Sequence, residues 1–246
     1  MSLHPNGTGA RVPSADWRHV YVIGAVVACI VLTATVLDIT LTMVPALDAS
    51  TVPTTAPAWL EQLAETPWLG LRNLDLLNAA LSLIGLPLYL AIAGAHRATR
   101  PALATLAFVF AVAGAVLFAG NNVALPMLDL ARSWAHAGPP ARAALETAAE
   151  GLLARGAHGS FGALPGFLVS EIGTLLTAIV MLRGRVFGRA TGWIGIVGTI
   201  TLMVYTVAIT VTPGSEALMK GLAAPAGVLM LAWYALSART LWRLEA

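Results

Sequence analysis

Six stretches of this chain stay apolar for longer than the hydrocarbon core of a bilayer is thick, at about 20–46, 69–95, 101–127, 162–183, 190–212 and 217–241. A helix rises about 1.5 Å per residue, so roughly 20 predominantly apolar residues carry it across that core. Only helices or closed barrels can cross, because hydrocarbon offers the backbone no hydrogen-bond partners. With 58% hydrophobic and 11% charged residues, the chain has too little charge to coat a soluble domain of 246 residues. The expected fold is all-α: a polytopic bundle of six transmembrane helices forming a single domain over 20–243. A mobile cytoplasmic tail, residues 1–19, precedes it. The first apolar run is too long for the core of a cleavable signal and reads as a retained span.

Punctuation supports these boundaries. Pro101 opens the third helix, Pro165 sits in the first turn of the fourth, and "TPG" at Thr212–Gly214 ends the fifth. Pro87 and Pro225 fall inside spans, where kinks are expected. Two further segments read as short amphipathic helices on the outer face. "APAWLEQLAE" carries Leu60 and Leu63 on one side. "ARAALETAAEGLLARG" places Leu145, Ala149, Leu152 and Leu153 on one stripe, with Arg142, Glu146 and Glu150 opposite.

Basic residues set the direction of insertion. Arg11, Arg18, Arg97, Arg100, Arg183, Arg185, Arg189, Arg239 and Arg243 fall on one side, and Arg72, Arg132, Arg142, Arg155 and Lys220 on the other. The excess places both termini in the cytoplasm, and six spans, an even number, agree with termini on one side. The only cysteine, Cys29, lies in the first span and reads as a small packing residue.

Against this background three carboxylates stand out. Glu171 lies six residues after Pro165, roughly 9 Å below the outer end of its helix. Asp38, seven residues before Pro45, and Asp75, seven after Trp68, lie at roughly 10 Å on theirs. Small or polar residues continue each position along a helical stripe: Thr35–Asp38–Thr42, Asp75–Asn78–Ser82–Gly85–Tyr89, and Phe167–Glu171–Thr174–Ala178. Tyr205, Asn121 and Asn122 fall near the same level. An ionised carboxylate near mid-bilayer costs a few kcal/mol, so such stripes are expected to converge on one another or on a wet cavity. The candidate pocket is therefore Asp38, Asp75, Asn78, Asn121, Asn122, Glu171 and Tyr205.

From about Asn78 onward the chain resembles a bacterial multi-pass integral-membrane family, a domain of unknown function. The resemblance rests on "LSLIGLPLYLAI", "LRGRVFGRATGWIGIVG" and "GVLMLAWYALSARTLWRL". In the third span that family often carries an Arg and a Glu where this chain has "AGNNVAL". The resemblance implies a bacterial inner-membrane protein and transfers no catalytic residue.

Several chemistries are set aside. A membrane haem needs axial ligands inside the bundle, yet His4, His19, His96, His136 and His158 all fall in termini, loops or interfaces. Zinc would require His136 or His158 to fold down onto the carboxylates. No phosphate loop, nucleophile elbow or basic nucleic-acid surface is present, and no cofactor is expected. The leading expectation is an outward-facing pocket that binds or moves a proton-coupled or cationic small solute. A membrane-embedded enzyme with carboxylates as acid and base on a lipophilic substrate is the alternative, and a structural subunit the third. The lipid bilayer is the expected partner, and nucleic acid is not. The arginine asymmetry makes one direct prediction: a reporter active only in the periplasm, fused after Ala246, stays silent, and a strong signal would overturn the orientation.

Overall fold

The computed structural model describes residues 15–42, 52–212 and 216–245. Among them the chain forms eleven α-helices and no strand: α1 (Ala15–Thr42), α2 (Ala56–Glu65), α3 (Pro67–Asn73), α4 (Leu76–Ile84), α5 (Leu86–Ala95), α6 (Pro101–Asn121), α7 (Ala124–Ala135), α8 (Pro139–Gly156), α9 (Leu164–Gly184), α10 (Arg189–Val211) and α11 (Glu216–Glu245). Six segments are long and apolar enough to cross a membrane: Trp17–Leu41, Leu76–Ala95, Pro101–Ala135, Leu164–Gly184, Arg189–Val211 and Gly221–Glu245. The protein is an all-α polytopic membrane bundle. Within the third segment the helix breaks at Asn122 and Val123, so α6 is the crossing part and α7 turns away. The first helix starts at Ala15 and its apolar span at Trp17, ahead of the expected boundary at 20. The rest of the expected mobile tail, the end of the first span with Pro45, and the stop at Pro213–Gly214 lie outside the described residues.

Burial is inverted relative to a soluble protein. Ile23, Val26, Ile30, Val109, Val116 and Val204 are all exposed on the outside of the bundle, where hydrocarbon chains would cover them. Cys29 is exposed as well, on the flank of α1 rather than packed inside it as expected. Inside, contact depends on small residues, because apolar side chains gain nothing by leaving lipid for protein and only close packing holds helices together. Gly173 of α9 shows this most clearly. A Cβ there would lie 2.6 Å from the Ala111 amide nitrogen of α6. A turn or more away, Gly114 of α6 lies against the Ser170 backbone of α9 in the same way.

The second span differs from the continuous helix expected over 69–95. Asp75 adopts a left-handed conformation (φ 58°, ψ 23°), and the chain is split there into α3 and α4. A short polar side chain tolerates that geometry better than most. Asn122 stabilises the break by donating from Nδ2 to the Leu74 carbonyl at 2.7 Å. Gly85, followed by Pro87, marks a second interruption between α4 and α5.

At the end of the bundle where α4 and α9 begin, α2, α3, α7 and α8 form a cap with its own apolar core of Trp59, Leu60, Leu63, Leu74, Met127, Ala131 and Ala149. Both amphipathic helices read from the sequence are present, and α3 and α7 join them. In α8 the Ala149 stripe is the buried one, but Arg142 and Glu146 are not on a free face. Glu146 accepts the Trp134 indole N–H at 2.9 Å, and the Arg142 guanidinium lies over the Trp134 ring at 4.6 Å. The reason is α7, whose Trp134 needs a partner for its one polar atom.

Two glycines separate packing from propensity. Gly173→Ala forces α6 and α9 apart and should cost about 1–3 kcal/mol, the usual penalty of overpacking. Gly151, exposed on α8 with nothing within 4 Å of an added Cβ, should gain roughly 0.5–1 kcal/mol on replacement by Ala. Unfolding of the purified protein in detergent reads both. Equal effects would show that α6 and α9 do not meet at Gly173.

Candidate functional site

Side chains from α1, α4, α5, α6, α9, α10 and α11 line a partly open cavity of about 240 Å³ within the bundle. It reaches from Asn78, in the first turn of α4, to Tyr89 in α5, and Glu171 forms part of its wall. The polar stripe expected on the second span is thus real from Asn78 onward: Asn78, Ser82, Gly85 and Tyr89 all line the cavity. Phe167, Glu171 and Thr174 do so from α9, and Thr35 from α1.

The hydrogen bonds around Glu171 leave it half-satisfied. Its Oε1 accepts from the Thr206 hydroxyl at 2.6 Å, whereas the buried Oε2 has no partner among the described residues. The neighbouring Ser170 hydroxyl, also buried and lining the cavity, has none either. Thr174 donates to the Ser170 carbonyl at 3.1 Å. Its single proton being so used, the 2.9 Å contact with Tyr89 has the tyrosine as donor. Phe118, Phe167, Tyr89 and Tyr234 supply four aromatic rings to the wall, and among the described residues no Lys or Arg lines it.

Next to this cavity lies a bridge that joins three elements. His158, in the turn between α8 and α9, contacts the Asp75 Oδ2 through Nδ1 at 2.7 Å and the Tyr205 hydroxyl through Nε2 at 3.1 Å. Asn78 donates to the other Asp75 oxygen at 2.9 Å. The imidazole stands edge-on to Phe167, with ring centres 5.2 Å apart, and Phe167 packs in turn on Phe118 at 4.5 Å. Gly159 takes a φ of +77° directly after His158, a turn that a side chain would strain. Burial opposes charge on both partners, but each favours the charged form of the other. Asp75 is consequently held below its ordinary value of 3.8, by His158 first and then by Asn78. His158 is raised above its ordinary 6.5, mainly by Asp75 with a smaller contribution from Glu171.

The seven residues read from the sequence therefore fall into separate arrangements. Glu171 and Asn78 line the cavity, and Asp75 and Tyr205 adjoin it through His158. Asp38 does not join them. The Arg72 Nε donates to its Oδ1 at 2.8 Å, reaching from α3 to α1, and Asp38 is not part of the cavity wall. Asn121 and Asn122 hold backbone: Asn121 donates to the Gly162 carbonyl at 3.4 Å, and Asn122 spans the Leu74 carbonyl and the Ala124 amide. The expected meeting of three carboxylates is replaced by three carboxylates with different partners, because an arginine and a histidine from outside the spans reach two of them. Ser170 and Thr206 were not among the residues singled out, and His158 was named only as a conditional zinc ligand, not as part of the pocket. The one signal for His158 is its position, directly before a glycine and a few residues ahead of the span that carries Glu171. It does fold onto a carboxylate, the condition named for zinc, but among the described residues no three His, Cys, Asp or Glu side chains gather at one point. No family model, curated protein or solved structure matches this chain.

The bridge makes stability depend on pH in a defined sense. The raised His158 contributes stability that is complete below 6.5 and is lost as pH rises through its elevated value. The depressed Asp75 contributes stability that is complete above 3.8 and is lost as pH falls through its lowered value. Both contributions are whole between 3.8 and 6.5. Melting temperature in detergent should fall on either side of that window, and His158→Gln should remove the alkaline limb. An alkaline limb unchanged in the variant would show that His158 does not carry it.

Proposed function

We propose that this protein binds, and serves the passage of, a small cationic solute in the Glu171 cavity, with protons competing for the same carboxylate. The observation that carries the reading is the buried Glu171 Oε2, unpartnered in the wall of a cavity whose lining, among the described residues, holds no Lys or Arg. A carboxylate kept from water demands a counter-charge or a proton. The surrounding hydroxyls of Ser170, Tyr89 and Thr174 can accept hydrogen bonds from an ammonium group. The four aromatic rings add the attraction of their π faces for a cation. A protonated amine of a few heavy atoms fits both the chemistry and the volume.

Helix clamping alone does not account for this arrangement, since Thr206 engages one oxygen and leaves space at the other. Acid–base catalysis by two carboxylates is less well supported. Glu171 is the carboxylate in the cavity wall, and Asp75 is engaged by His158 and Asn78. The arginine asymmetry supports cytoplasmic termini, so that the cap and the near end of the cavity face outward. The family resemblance supports a bacterial inner membrane.

Glu171→Gln tests the reading. Glutamine keeps size and hydrogen bonding but cannot compensate a cation. A bound amine at about 100 times its Kd should stabilise the wild-type protein by about 2.7 kcal/mol, because a ligand stabilises only the state that holds it. The variant should fold and show no such shift across a panel of small amines and metal cations. Identical ligand-dependent melting of the two proteins would refute the role of Glu171.

A further inference from the structure

The opposite end of the bundle holds a second pocket that the cavity reading leaves unused. Its volume is about 480 Å³, and it is lined by Arg100, Leu182, Arg183, Arg185, Arg189 and Trp193. The four arginines come from three separate places: the start of α6, the end of α9 with the turn after it, and the start of α10. Among the described residues none of the four forms an ion pair. Setting topology requires basic residues on this side of the membrane, but it does not require them to converge on one pocket.

Local electrostatics deepen the imbalance. Arg183 and Arg185, at the end of α9, sit where cations are favoured. Arg100 and Arg189 do not: Arg100 is the N-cap of α6, and Arg189 is the first residue of α10. Helix N-termini carry partial positive charge and normally attract acidic side chains. Neither helix has an acidic residue in its first turn or a side chain capping its free amides. Four guanidinium groups and two uncapped helix starts thus share one pocket that holds no carboxylate among the described residues.

The surroundings point to where the missing anion comes from. Trp193 is 56% exposed and stands at the top of a stripe on α10 that continues through Val197, Ile200 and Val204, all exposed on the membrane-spanning surface. An acyl chain lying along this stripe would have its headgroup at the arginines. We propose that this pocket binds the phosphate headgroup of an anionic membrane lipid, with one acyl chain running down the Trp193 face of α10. Arginine suits the role because its planar fork can hold two phosphate oxygens at once. Basic pockets between helices at a membrane boundary recognise such headgroups.

The test uses the full chain, purified in detergent and stripped of lipid, with binding followed by native mass spectrometry and by melting temperature. Phosphatidylglycerol should bind saturably and raise the melting temperature, whereas phosphatidylcholine should do neither. Arg100→Gln/Arg183→Gln/Arg189→Gln should weaken phosphatidylglycerol binding by roughly tenfold or more. Should the loss of charge prevent correct insertion, the same three positions changed to Lys keep the charge but lose the fork, and binding should still weaken several-fold. Unchanged phosphatidylglycerol affinity in a folded variant of either kind overturns the proposal, as does equal binding of phosphatidylcholine. Equal stabilisation by inorganic phosphate at the same concentration overturns the assignment to a lipid.

Discussion

Hydrocarbon neither donates nor accepts hydrogen bonds, and the architecture follows from how each polar group escapes that deprivation. Backbone amides escape by forming helices. Where the helix is interrupted, at Asp75 and at Asn122, side chains stand in: the Asn122 amide takes the Leu74 carbonyl, and its own carbonyl oxygen takes the Ala124 amide. These two interruptions occur where the bundle meets the cap, so their irregular backbone lies against protein, whereas the break at Gly85 lies within the span and borders the cavity. The cap buries Trp59, Leu60 and Met127 in its own core and brings Arg72 and His158 to the ends of the spans.

The three carboxylates show the same rule with different outcomes. Asp38 is neutralised by Arg72, an ion pair at the boundary with both side chains partly accessible. Such a pair lies between an exposed one, worth about 1 kcal/mol or less, and a buried one whose breakage costs about 3–5 kcal/mol. Asp75 is held by His158 and Asn78, which ties the start of α4 to the turn before α9 and, through Tyr205, to α10. Glu171 alone is left with one oxygen unsatisfied, beside an unsatisfied Ser170 hydroxyl. Unspent hydrogen-bonding capacity in a buried wall marks a place where another group can bind.

The two ends of the molecule differ in the way they treat charge. On the cap side, three arginines are engaged: Arg72 with Asp38, Arg142 with Trp134 and the carbonyls of the α7–α8 turn, Arg155 with the Gly120 carbonyl. At the other end Arg97 lies over Trp17, but Arg100, Arg183, Arg185 and Arg189 form no ion pair among the described residues. Uncompensated positive charge at a membrane boundary has an abundant partner in the lipid itself.

Much of this was legible in the chain because it depends on local composition. Span number, helical class, the amphipathic character of α2, the helical state of α8, and the polar stripe from Asn78 to Tyr89 follow from apolar length and from the 3.6-residue period, which any single helix obeys. The same period placed Glu171 facing inward. What tertiary structure alone decided is which groups meet. The partner of Asp38 is 34 residues away, that of Asp75 83, and that of Glu171 35. No local pattern encodes such pairings, because they depend on how far a loop reaches and where the cap docks. The left-handed turn at Asp75 is of the same kind: its sequence reads as continuous helix, and only the Asn122 and His158 side chains, arriving from elsewhere in the chain, favour the break. Helical periodicity sets the face on which a side chain lies, whereas long-range packing determines what that face encounters.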